Sequence, residues 1–299
     1  MDMRRFLLFV FALSLCLRTA EAQLGGLPEV DFGRLSQQDP NPLGAKALAI
    51  RGQDWKHAET EHFIYHFVHG YVATPVSVEA EFSYRVVVKE LGHEPPSGDT
   101  KSHIYIFERP EDWREFQGAG QLEKWTGGIH SQGSLFIVRD PSYKFSDNTL
   151  GHEIVHLVMH RYYPLGIPRW LDEGFAQYAS TNAHASYQRA RGYIAKPRSQ
   201  LVVAAELFPL ATLATMDYPT DPERVGVFYD ESERLVRFLA GKDKASFLGL
   251  LDALSQHQPF ERAVLQHYSG KFSSVASLEE QFRAFASGAS NGTEQARSE

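Results

Sequence analysis

The sequence predicts an α+β fold: a mixed N-terminal α/β lobe with a small sheet, followed by a mainly helical C-terminal lobe. Two observations carry this prediction. The strand-like runs all lie before residue 141, and from residue 146 onward the periodicity is helical.

Taken in order, "HFIYHFV" (His62–Val68) is rich in β-formers and bounded by polar residues, so it predicts a strand. Val76 to Leu91 predicts a helix that stops at Gly92, with Pro95-Pro96 blocking its continuation. "SHIYIFE" (Ser102–Glu108) alternates as a strand does, and "PEDWREFQG" (Pro110–Gly118) opens with the proline and acids of a helix start. "GSLFIVRD" (Gly133–Asp140) is a third strand, closed by Asp140-Pro141. Helices then follow over Ser146–Tyr162, Pro168–Ser180, Glu231–Ala240, Lys244–Gln256 and Leu278–Ala286.

The N-terminus predicts export. Arg4 and Arg5 precede the apolar run Phe6–Leu17, and Ala20-Glu21-Ala22 offers small residues for cleavage after Ala22. That run is too short to span a bilayer, so no membrane insertion is expected once it is removed. The expected location is secreted or periplasmic. Cys16 is the only cysteine among 299 residues, so the mature chain has no thiolate for catalysis or metal binding. The net charge is −7, and removing residues 1–22, with three arginines against Asp2 and Glu21, leaves about −8. Such acidity argues against a nucleic-acid partner.

"TLGHEIVHLVMHRYY" (Thr149–Tyr163) carries His152, His156 and His160 at four-residue intervals. His152-Glu153-Ile154-Val155-His156 is the HExxH pattern. On a helix its two imidazoles share a face and can reach one ion, with Glu153 beside the first ligand to hold and deprotonate a metal-activated water. His160 is about 12 Å along the axis from His152 at 1.5 Å per residue, too far to join the same ion. Ser146 and Asn148 are available as helix caps.

"PLGIPRWLDEGFAQY" (Pro164–Tyr178) breaks this helix and starts another. A second helix packed on the first can bring Glu173 to the metal, with Trp170 and Leu171 in the packing and Gly174 permitting close approach. Asp172 and Glu173 are equally what the first turn of any helix attracts. Gln177 is one turn further on, where it either orients a ligand or, as glutamine more often does, faces solvent.

HExxH followed by "W-L-x-E-G-x-A-x-Y" resembles the gluzincins, the thermolysin and aminopeptidase N branch of zinc peptidases, and above all their compact peptidase MA-like domains. The resemblance implies a zincin-like active-site helix between the two lobes, Zn²⁺ as cofactor, and a peptide or protein substrate. It implies His152, His156 and Glu173 as metal ligands and Glu153 as general base. In aminopeptidase N relatives a downstream tyrosine donates to the oxyanion, worth on the order of 3 kcal/mol. "GVFYDESERLVRFL" places Tyr229 before a helix in a similar way, although Asp230-Glu231-Ser232 replaces the Lys-Gly pair of that group; His267 and Tyr268 are rivals. "TGGIHSQGSLFIV" (Thr126–Val138) corresponds to the edge strand that pairs with substrate in this clan, or is a plain hairpin. The exopeptidase Gly-x-Met-Glu-Asn signature is absent, which favours an endopeptidase.

The expected organisation is a signal peptide over 1–22, an extended lead-in over 23–45, an α+β lobe over 46–145, the active-site helix and helical lobe over 146–286, and a disordered tail over 287–299. Two other outcomes are compatible with the sequence: a catalytically silent zincin-fold binding module, and a zinc hydrolase acting on a non-peptide bond.

Overall fold

Runs of aromatic and β-branched residues build a five-stranded sheet in the N-terminal part of the chain, in a computed structural model that describes residues 26–92, 100–122, 127–139, 148–193 and 207–288. The strands are β1 (Lys56–Glu59), β2 (Phe63–Phe67), β3 (Ser102–Phe107), β4 (Gly128–Ser131) and β5 (Ser134–Val138), in the order β1-β2-β3-β5-β4. β2, β3 and β5 are parallel neighbours, and the outer pairs β1/β2 and β4/β5 are antiparallel. Every residue of β2, β3 and β5 is buried, as central parallel strands require.

Helices α1 (Pro42–Arg51), α2 (Gly70–Leu91) and α3 (Pro110–Gly120) belong to this part of the sequence. Ala47 of α1 and Trp113 and Phe116 of α3 join Trp55, Tyr105, Phe107, Phe136 and Val138 in one aromatic core on a sheet face. Two of these three helices differ from expectation. α1 begins within the stretch expected to be extended, because Asn41 caps it by accepting from Leu43 N and Pro42 fits the first turn. α2 starts six residues before Val76: Pro75 lies in its second turn, where it forfeits only one backbone bond.

The C-terminal part is helical, with α4 (Thr149–Tyr162), α5 (Arg169–Ala190), α6 (Leu210–Leu213), α7 (Val225–Lys242), α8 (Lys244–Ser255), α9 (Phe260–His267) and α10 (Val275–Ala286). α5 runs well past Ser180 because Phe175, Ala179, Ala183 and Tyr187 form a continuous buried stripe at four-residue spacing. α7 starts at Val225, so Tyr229 lies inside the helix and not before it. Asp221 caps a short 3-10 turn over Pro222–Arg224 that leads straight into α7.

Contacts divide the chain into two compact units, one within residues 1–81 and 99–145 and the other within 82–98 and 146–299. Among the described residues no helix is long and apolar enough to cross a membrane. The expected signal segment lies outside the described residues, as does Ser146. So does the tail beyond Gly288.

Candidate metal centre

The site lies entirely within the second unit. α4 buries Leu150, Ile154, Val155, Leu157, Val158 and Met159, which turns His152, Glu153 and His156 to the opposite side of the helix. Asn148 stands at the N-cap position but does not cap with its side chain; its Nδ2 donates instead to Ser180 Oγ of α5 at 2.8 Å. This bond ties the start of α4 to the middle of α5.

The reversal between the helices is set by Gly166, whose φ of 83° is a conformation glycine adopts at little cost. Gly166 N donates to Tyr163 O at 2.9 Å, closing the turn, and Pro168 then starts α5. Trp170 and Leu171 are fully buried, with Trp170 meeting Phe260 edge-on at 5.8 Å. Gly174 does permit a close approach, but of α7 and not α4: a Cβ there would lie 2.4 Å from Ser232 O.

This frame brings three donor atoms together. His152 Nε2 and His156 Nε2 are 3.1 Å apart, and Glu173 Oε2 is 3.4 Å from each. Ligands bonded at about 2.0–2.1 Å around a tetrahedral ion are separated by about 3.3–3.4 Å, so the triangle has the dimensions of three zinc ligands. Glu173 is buried, and its Oε2 makes no well-formed hydrogen bond. A buried carboxylate oxygen left in this state, flanked by two imidazole nitrogens, fits a cation. His160 is exposed at the end of the helix and stands outside this group.

Other groups hold the triangle in place. His156 Nδ1 is bonded to Asp172 Oδ1 at 2.9 Å, which leaves Nε2 facing the other donors. Burial opposes a charge on His156, but Asp172 and Glu173 outweigh it and raise its pKa well above the ordinary histidine value. Burial likewise disfavours the Glu173 carboxylate, yet the two imidazoles hold its pKa well below the usual range. Tyr218 OH donates to Glu173 Oε1 at 2.6 Å, and the Arg169 guanidinium lies over the Tyr218 ring at 5.1 Å.

Tyr229 is half-buried and packs on Tyr218 with ring centroids 6.3 Å apart. Its pKa is pushed up to about 12 by burial first, then by the negative charges of Glu173 and Glu153. Tyr229 therefore shares the electrostatic environment of the site. His267 and Tyr268 do not join the donor group: Tyr268 is buried with its hydroxyl on Leu239 O, and the His267 ring lies against Gly249. In the first unit, β4 is an edge strand joined to β5 by the two-residue turn Gln132-Gly133.

Sequence reasoning missed Asp172 and Tyr218 as site residues. Asp172 was legible only as a first-turn acid. Nothing in the local sequence marks Tyr218, which reaches Glu173 from 45 positions away.

The sequence matches the family model of the Peptidase MA superfamily over residues 95–288, which takes in α4, α5 and α7 with every donor described above. No curated protein matches it.

Proposed function

The chain belongs to the peptidase MA superfamily, and from that premise we propose that it is an exported zinc-dependent endopeptidase, secreted or periplasmic, acting on peptides or proteins. His152, His156 and Glu173 would hold the ion. The observation that carries this reading is the buried Oε2 of Glu173, 3.4 Å from both imidazole nitrogens and without a hydrogen-bond partner of its own. Bound there, Zn²⁺ supplies a Lewis acid that lowers the pKa of water towards 7 and polarises a substrate carbonyl.

Within that reading, Glu153 acts as general base: it takes a proton from the attacking water and delivers it to the leaving amine. The water oxygen bonds to the carbonyl carbon first, and the peptide C–N bond breaks afterwards, as the leaving nitrogen takes the proton from Glu153. Tyr229 donates a hydrogen bond to the carbonyl oxygen as charge develops on it. Asp172 keeps the His156 ring oriented through Nδ1.

The test is cleavage of a mixed peptide library by the zinc-loaded wild type and by Glu153→Gln. The reading predicts internal cuts by the wild type and a loss of at least about 100-fold in the variant, as removal of a general base entails. A wild type that binds zinc yet cuts nothing would point to a binding module. Action on esters or amides other than peptides would point to another hydrolase.

A further inference from the structure

Glu173 offers one oxygen, not two, to the space between the histidines. Oε2 faces both imidazole nitrogens, whereas Oε1 accepts from Tyr218 OH at 2.6 Å and has Arg169 Nη1 at 3.9 Å. We propose that Tyr218 is a positioning residue that binds Oε1 of Glu173 and so restricts this carboxylate to one-oxygen metal ligation, keeping a coordination position open for water and substrate. The inference rests on the metal-centre reading above and adds the group that controls how its carboxylate binds.

A carboxylate beside a divalent cation can ligate through one oxygen or both, and nothing in Glu173 itself selects between them. The selection comes from its surroundings. Glu173 is only 4% exposed, so solvent cannot readily take over the role of the tyrosine hydroxyl. Tyr218 is itself fixed from several sides. Arg169 lies over its ring, Phe228 meets it at 5.6 Å, and Tyr229 packs beside it. Arg169 also reaches Asp217 at 3.4 Å, which pins the segment that carries the tyrosine. Yet Tyr218 keeps 41% of its surface exposed, more than a residue retained for core packing would. Its most specific contact is the hydroxyl on Glu173.

Tyr218→Phe keeps the ring and its packing while deleting the hydroxyl, which makes it the informative variant. Zn²⁺ affinity is measured by competition with a chromophoric chelator, and the Co²⁺-substituted proteins are compared by visible absorption. A Tyr218→Phe protein that binds Zn²⁺ about 10–100-fold more weakly is expected, as for loss of other groups that orient metal ligands. Its Co²⁺ d–d bands should also lose intensity, as a change from four to five ligands requires. An unchanged Co²⁺ spectrum in Tyr218→Phe, whatever its Zn²⁺ affinity, would overturn the role of Tyr218 in restricting Glu173 to one oxygen while leaving the metal centre intact. A wild type that binds neither ion would overturn the metal centre and this inference together.

Discussion

His156 Nδ1 and Asp172 Oδ1 lie 2.9 Å apart, joining the second histidine of the HExxH pattern to the residue just before Glu173. One short stretch of α5 thus serves the site twice: Glu173 faces the donor triangle and Asp172 locks a ring of that triangle. Asp172→Ala should reduce Zn²⁺ affinity by about 10–100-fold. The loss is read by chelator competition, and wild-type affinity in the variant would count against the assignment.

Gly174→Ala tests the packing beneath the site. The added methyl would meet Ser232 O and C at 2.4 and 2.6 Å, both backbone atoms that cannot swing aside. Overpacking of this kind costs typically about 1–3 kcal/mol. Chemical denaturation should show that loss, and a variant as stable as wild type would mean that α5 and α7 separate more readily than their contacts imply.

In the first unit, His57, His66 and His103 form a buried row across β1, β2 and β3, with ring nitrogens 2.8 and 2.9 Å apart. Phe32 and Tyr105 pack on the row. Burial is the leading cause that lowers all three pKa values from 6.5; the charges of Asp39 and Glu59 oppose it at His103. The folded state therefore resists protonation while the unfolded chain accepts protons below about pH 6.5. The stability is fully present above that pH and is lost as pH falls towards the folded values. Each tenfold loss of proton affinity on folding corresponds to roughly 1.4 kcal/mol per ring. The urea midpoint of the wild type should drop between pH 7.5 and 5, and His66→Gln should flatten that drop. An equally steep drop in His66→Gln would contradict the account.

Glu231 has the opposite pH slope. It is fully buried on α7, with Oε2 accepting from Phe208 N and Oε1 unpartnered. Burial pushes its pKa up to about 7, against the pull of the Phe208 amide, Arg283 and Arg224, while Glu279 adds to the rise. A carboxyl whose folded pKa lies above its unfolded value of 4.5 stabilises at low pH, and that contribution fades as pH rises through about 7. Glu231→Gln should be more stable than wild type at pH 8 by on the order of 1–3 kcal/mol, and the gain should vanish near pH 4.5. Thermal melts at the two pH values check this.

How much of this was legible in the sequence follows from the range of each signal. HExxH and Glu173 could be read because each is a local pattern on a helix: four-residue spacing places the two imidazoles together, and the break at Pro164–Pro168 announces a return. The rise per residue likewise separated His160 from the pair. Asp172 escaped because its role depends on the rotation of α5 against α4, and residue type alone does not encode that rotation. Tyr218 escaped because its partner is remote in sequence. Tyr229 was expected before a helix and lies inside one, since no breaker lies between the Pro222 turn and α7. The start of α1 was missed because its cap, Asn41-Pro42, sits in a Gly/Pro/Gln-rich stretch that otherwise reads as extended.

The central claim is that His152, His156 and Glu173 together hold one divalent ion, and metal content per chain tests it most directly. The wild type, His152→Ala and Glu173→Ala are loaded with Zn²⁺, desalted and analysed by mass spectrometry for bound metal. The account predicts about one zinc per wild-type chain, in the manner of a three-ligand site, and far less than one in each variant. A wild type without zinc, or variants that keep it at wild-type level, would contradict the account at its base.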